Sequence, residues 1–281
     1  MPVAVVTDST ACLPPGIASR YPVTVVPMPV TVNGIDGREG IDVTSEDVQA
    51  ALGERRVDVS TSRPAPTELA QLYGRLLDEG AAAVVSIHLS GELSGTCDAA
   101  RAAAAEYGDR VIVVDSRNTG MGTGFAVLAA AKAARRGRGR GEVAELARRT
   151  ADRTNTFFYV DTLEFLRRGG RIGAAQALLG TALSVKPLLH IRDGRVEVRE
   201  KVRTSGRALA RLEDLALKAS GDGVVDIGVH HLGSPTPAQA LVERLSDRFG
   251  SRLRDTYITE VGAVLAAHCG PGLLGVVVLP V

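Results

Sequence analysis

The chain has 281 residues, with 33 Lys and Arg against 32 Asp and Glu, and a formal net charge of +1. That length supports one large or two medium domains with a sizeable core. The even balance of charge offers no basic face for nucleic acid, and 5 Phe, 5 Tyr and no Trp leave few platforms for stacking bases.

The three cysteines, Cys12, Cys97 and Cys269, lie far apart. Their spacing excludes a disulfide scaffold and a cysteine zinc site, and fits a reducing compartment. The start, Met1-Pro2-Val3, turns polar at Thr7-Asp8-Ser9 and reads as no signal peptide. Residues 261–281 carry no formal charge and are long enough to span a bilayer. His268, Cys269 and the breaker Gly270-Pro271-Gly272 interrupt that stretch, so a helix followed by a buried strand is expected there. The expectation is a soluble, cytoplasmic protein.

In chain order, short apolar runs predict buried strands at Val3–Val6, Val23–Val26, Ala83–Ile87, Val111–Val114, Phe157–Val160, Val224–Val229 and Leu273–Leu279. Between the early ones lie helical patterns. Leu69, Leu72, Leu76 and Leu77 share a face over Thr67–Glu79, and Ala/Arg-rich helices are predicted over Thr119–Arg136 and Glu142–Arg153. The Arg-Gly tract between those two helices reads as a solvated helix end with a glycine stop. Strand–helix alternation argues an α/β fold with a largely parallel sheet.

The second half differs. Val185–Ile191 and Val196–Val202 flank Asp193-Gly194, a hairpin signal, and helices are predicted at Ser205–Ala219 and Thr236–Phe249 with a strand between them. The change of rhythm divides the chain into an N-terminal α/β domain over residues 1–157 and a C-terminal mixed α+β domain over residues 158–281.

Four segments can carry chemistry. Thr61-Ser62-Arg63-Pro64 sets two hydroxyls before a helix, either as a cap or as part of an anion site. Ser86 to Thr96 leaves the C-terminal end of a strand and opens a helix near Gly95, where ligands sit in open α/β sheets. Gly91 and Gly95 allow close backbone approach, and Ser94 and Thr96 add hydroxyls. This is neither a Walker loop nor a Gly-x-Ser-x-Gly elbow. His268, just before a breaker, is either a satisfied core histidine or a donor to a carboxylate. Asp161 to Ile172 holds three arginines around Gly169-Gly170, read as an exposed cationic loop that is either merely solvated or suited to phosphate or an acidic partner.

In this order the segments resemble the DegV family of bacterial fatty-acid-binding proteins, which includes the FakB subunits of fatty acid kinase. The resemblance runs from Val5-Val6-Thr7-Asp8-Ser9-Thr10 through Thr61-Ser62-x-Pro, Leu93-Ser94-Gly95-Thr96, Val114-Asp115-Ser116, Leu163-Glu164-x-Leu-x-x-Gly-Gly-Arg-Ile and Lys186-Pro187-Leu188 to His268-Cys269-Gly270-Pro271-Gly272. It implies a two-domain α/β fold with a long-chain fatty acid held between the domains. It also implies a carboxylate site at Thr61, Ser62, Ser94, Gly95, Thr96 and His268, and an acyl chain in an apolar tunnel. A separate ATP-dependent kinase is the implied partner, contacted through Gly170 and Arg171, with Arg203 as a further candidate. No catalytic residue, metal or cofactor beyond the bound lipid is expected.

Three residues depart from the family pattern: Arg63 stands where Gln is usual, Ala65 where Ser is usual, and Cys97 where an aromatic is usual. Two other readings stay open. One is a serine hydrolase using Ser94 and His268 with Asp8 or Asp115 as orienter. The other is a regulatory or transport domain that binds a phosphosugar.

Overall fold

The computed structural model describes residues 2–54, 58–178 and 186–281. The first elements are β1 (Val3–Asp8), α1 (Ile17–Arg20), β2 (Val23–Val26), β3 (Pro29–Val32), β4 (Ile35–Arg38), α2 (Ser45–Leu52) and β5 (Val59–Thr61). Next come α3 (Pro66–Asp78), β6 (Ala83–His88), α4 (Thr96–Ala104), β7 (Val111–Asp115), α5 (Met121–Arg135) and α6 (Arg140–Arg153). Then follow β8 (Asn155–Tyr159), α7 (Glu164–Arg168), β9 (Lys186–Arg192), β10 (Arg195–Val202) and α8 (Ser205–Ser220). The chain ends with β11 (Val225–His231), α9 (Pro235–Phe249), β12 (Leu253–Glu260), α10 (Ala263–Cys269) and β13 (Leu274–Pro280).

These elements form two compact units, one of Met1–Pro29 with Thr61–Arg153 and the other of Val30–Ser60 with Thr154–Val281. A single cut after residue 157 therefore does not describe the division, because residues 30–60 leave the first unit and return to it. The physical reason lies in the second unit. There α2 packs on α10, and the buried Glu39 carboxylate accepts the Val264 amide at 2.8 Å. Nothing local to residues 30–60 announces that partner.

The first unit is a parallel sheet in the order β2-β1-β6-β7. Val6 and Val84 face Leu69, Tyr73, Ala99 and Ala103 of α3 and α4. The alternate residues Val5, Val85 and Ile87 are also fully buried, with α5 and α6 packed on the sheet. Burial on both faces is why these strands read as continuous apolar runs. The parallel arrangement places Asp8, His88 and Asp115 together at the carboxyl edge, as the last residues of β1, β6 and β7.

The second unit is built on a mixed sheet, β10-β9-β8-β13-β11-β12, in which β11 and β12 are parallel and the other pairs antiparallel. Leu212 and Leu215 of α8 and Leu241 and Leu245 of α9 cover Phe157, Ile227, Val229, Val276 and Val278. The expected β9–β10 hairpin turns at Asp193-Gly194, with φ of 50° and 81°, the left-handed pair that such a turn demands. Its first expected residue, Val185, lies outside the described residues. A smaller sheet, β4-β3-β5, belongs to the 30–60 excursion and turns between β3 and β4 at Asn33-Gly34.

Candidate functional site

In the first unit, the loop from Leu89 to Gly95 leaves the carboxyl edge of the sheet and is held there by acceptors on the strand ends. Leu89 N donates to Asp8 Oδ2 at 3.1 Å, Gly91 N to Asp115 Oδ2 at 3.1 Å, and Ser90 N to the Asn118 carbonyl at 2.8 Å. Asp8 is fully buried, which on its own would raise its carboxyl. Hydrogen bonds from His88, Thr10 and the Leu89 amide outweigh that cost and hold it below the ordinary range.

Behind Asp8 runs a buried chain of donors. Tyr73 donates to Ser86 Oγ at 2.8 Å, Ser86 Oγ lies 2.8 Å from His88 Nε2, and His88 Nδ1 lies 2.9 Å from Asp8 Oδ2. His88 thus bridges Ser86 and Asp8 through its two ring nitrogens. Ser86, His88 and Asp8 have the connectivity of a catalytic triad but are all 0% exposed. No substrate reaches that serine, and the chain's role is to fix the loop.

The loop ends in the expected hydroxyl pair. Ser94 Oγ and Thr96 Oγ1 are 2.8 Å apart, and Thr96 N donates to Ser94 Oγ at 3.3 Å. Ser94 and Gly95 are half-buried and Thr96 is buried. Helix α4 starts at Thr96 with no side-chain cap from Gly95. Cys97, one of the departures, is buried beneath the loop and donates to the Leu89 carbonyl at 3.4 Å. Burial pushes its thiol far up, so it is structural and not reactive. Thr61 closes β5 half-buried, and Ser62 follows it exposed, its amide donating to the Pro29 carbonyl at 3.2 Å. Arg63 then lies along the Gly95 backbone: a Cβ on Gly95 would be 2.9 Å from Arg63 Nη1.

His268 is in the second unit, in the last turn of the short helix α10. Burial, with the Arg171 charge acting in the same direction, lowers its imidazole to about 4. The helix is fixed at both ends. At its start, Glu39 accepts the Val264 amide, and a Cβ on Gly262 would lie 2.7 Å from Glu39 Cδ. At its end, the ring lies against Gly169, where a Cβ would come within 2.7 Å of His268 Cε1 and nearer still to Nδ1. Gly270 packs in the same way on the Phe165 ring.

The arginine segment is more ordered than its composition suggests. Arg167 and Arg168 both bind Glu164 on α7, at 2.7 and 2.8 Å. Arg171 is half-buried and not exposed as expected, because its guanidinium turns back to donate to the Gly169 carbonyl. Gly170 has φ of +72° with open space around it. Arg203 is exposed in the turn between β10 and α8.

The structure thus groups Ser94, Gly95 and Thr96 in one loop of the first unit, and His268 with the Gly169–Arg171 turn in the second. The sequence alone assigned no role to His88 or Glu39 and did not point to the Gly169–His268 and Arg63–Gly95 contacts. Only His88 had a readable signal, as the polar end of a strand expected to lie in the same sheet as β1. The hydrolase reading loses its orienter, since Asp8 is tied to His88 and Leu89, and Asp115 to the amides of Gly91 and Arg117. Nor does Ser94 have the strained backbone of a nucleophile elbow. Among the described residues, no group of three or more His, Cys, Asp or Glu could hold a metal ion, and no helix is long and apolar enough to cross a membrane.

Residues 2–281 match the model of the family described as uncharacterised protein, DegV family. A DegV domain-containing protein of Streptomyces coelicolor is 51% identical over 276 residues, covering 98% of each chain. A solved structure described as fatty acid binding of a DegV family protein from Thermus thermophilus superposes with a TM-score of 0.95 at 34% identity, covering 100% of both chains. That of DegV, a fatty acid binding protein from Bacillus subtilis, gives 0.89 at 32% identity, again over 100% of both. With its parallel-sheet and mixed-sheet units, its ordered motifs and these relatives, the chain belongs to the DegV family.

Proposed function

We propose that this protein binds a long-chain fatty acid, holds its carboxylate with Thr61, Ser62, Ser94, Thr96, the amides around Gly95 and His268, and presents it to a separate fatty acid kinase. The observation that carries the reading is the match, over the full length of both chains, to the Thermus thermophilus protein described as fatty acid binding. The donor set supports it. A carboxylate taken out of water needs its lone pairs satisfied, and hydroxyls, helix-start amides and an imidazole are suitable partners. An acyl chain supplies the driving force, at about 0.8 kcal/mol per buried CH₂, or of order 10 kcal/mol for sixteen carbons before ordering costs.

The kinase would transfer phosphate from ATP to the bound carboxylate, giving an acyl phosphate for phospholipid synthesis. Gly170 and Arg171 are the proposed contact, with Arg203 nearby in role. Arginine suits both an acidic kinase surface and developing phosphoryl charge. The protein itself is then a carrier acting in the cytoplasm, and it needs no metal or nucleic acid.

Mass spectrometry of small molecules released on denaturation tests the lipid reading. About one long-chain fatty acid per chain is expected. Repeated preparations without an acyl chain, together with no uptake of added palmitate or oleate, overturn it.

A further inference from the structure

We infer that Arg63 is a charged ligand of the fatty-acid head group, and that Gly95 is glycine so that the Arg63 guanidinium can reach it. The inference rests on the fatty-acid reading above.

Gly95 has φ of −73°, a conformation open to any residue, so backbone freedom does not explain it. Space does. A Cβ there would lie 2.9 Å from Arg63 Nη1, 3.0 Å from Cδ and 3.6 Å from Cζ. The arginine therefore lies along the Gly95 backbone from its aliphatic stem to its guanidinium. Its position is set from below as well, since the buried Pro64 confines the backbone of Arg63 to extended conformations. The cation is brought to the same backbone that carries the Ser94–Thr96 hydroxyl pair.

Several other arginines of this chain bind acids. On the adjacent helix Arg101 takes Asp98 at 2.8 Å, and in the second unit Arg211 takes Glu200 and Asp214. Arg63 is exposed and has no carboxylate partner among the described residues. A guanidinium fork matches a carboxylate with two parallel N–H donors, and a hydrogen bond to a charged partner is about twice as strong as a neutral one. The hydroxyls orient the head group, and Arg63 makes the site select for its charge.

The test compares binding of palmitate and of hexadecanol, which has the same chain and a neutral head, by wild type, Arg63→Gln and Gly95→Ala. Glutamine keeps an N–H donor but removes the charge. Arg63→Gln should bind palmitate about ten- to a hundredfold more weakly and hexadecanol as wild type does. Added salt should narrow the palmitate difference. Gly95→Ala should lose palmitate affinity in the same direction, by displacing the guanidinium. Unchanged palmitate binding by Arg63→Gln, or an equal loss for both ligands, overturns the inference while leaving the fatty-acid reading in place. Wild type that binds neither ligand overturns both.

Discussion

Replacing Gly169 by alanine should weaken fatty-acid binding although the backbone welcomes it. Gly169 has φ of −73° and ψ of −7°, helical values at which alanine is normally better than glycine by about 0.5–1 kcal/mol. The new Cβ would nevertheless lie 2.7 Å from His268 Cε1 and 3.3 Å from the Phe165 carbonyl. Ordinary contact needs about 3.4 Å or more, so the imidazole must retreat by at least ~0.7 Å. On the proposed reading His268 donates to the carboxylate. A bond of about 2.9 Å stretched by that amount passes 3.5 Å and ceases to be one. The expected loss is about 1.5–3 kcal/mol, or roughly ten- to a hundredfold in Kd. Titration calorimetry with palmitate measures it directly. Gly170→Ala is the control: its φ of +72° makes alanine cost about 1–2 kcal/mol of stability, but open space around it leaves His268 untouched, so affinity should hold. If Gly169→Ala bound palmitate like wild type while His268→Ala did not, packing of the ring against this glycine would not be what positions it.

On the same reading, Thr61→Ala and Ser94→Ala should each weaken palmitate binding by about 1–3 kcal/mol, and wild-type affinity in both variants would remove these hydroxyls from the site. Arg171→Ala should raise the His268 imidazole from about 4, because a neighbouring cation is lost, as proton NMR titration would reveal. It should also leave palmitate affinity nearly unchanged while cutting acyl-phosphate formation with the cognate kinase and ATP; loss of lipid binding itself would instead make Arg171 part of the pocket. Stability should fall as pH drops from about 6.5 towards 4, because the unfolded chain takes up protons that the buried His230 and the half-buried His268, both lowered to about 4, refuse in the folded state. Urea melts at pH 7 and pH 5 should show that fall for wild type and a smaller one for His268→Asn, and an equal slope for the two proteins would contradict the burial of the ring.

What could be read in advance follows from which interactions are local. The strands of the first unit are legible because both faces are covered, so Val3–Val6 is apolar throughout and Ala83–Ile87 is interrupted only by Ser86. The hydroxyl loop is legible because Gly91, Ser94, Gly95 and Thr96 are consecutive features of one turn. The 30–60 excursion did carry a local hairpin signal, Asn33-Gly34 after the β-branched run Val30-Thr31-Val32. It passes unread because β3 and β4 are only four residues each. Its allegiance to the second unit is settled by a carboxylate and an amide 225 residues apart in sequence, and no window of the chain contains both. The Gly169–His268 contact has the same character. A glycine kept for a distant side chain looks like any loop glycine until that side chain is in place. Composition also misled at Arg171, where a backbone carbonyl two residues away takes the charge expected to face solvent.

The carboxyl edge of the first unit raises an electrostatic difficulty that its hydrogen bonding resolves. Two carboxylates, Asp8 and Asp115, support the very loop proposed to receive a third, and bare like charges at such range would repel the ligand. Asp8 spends its oxygens on Thr10, His88 and the Leu89 amide, and Asp115 spends its own on the amides of Gly91 and Arg117. Each loop amide that donates inward to a strand-end acid ties that charge down within the fold. What the loop offers beyond them is the hydroxyl pair of Ser94 and Thr96 and the guanidinium against Gly95. The acids so conspicuous in the sequence are therefore the framework of the proposed anion site and not its chemistry. Neutralising Asp8 would leave His88 and the Leu89 amide with a poorer acceptor, loosening the loop and not making the site more receptive to an anion.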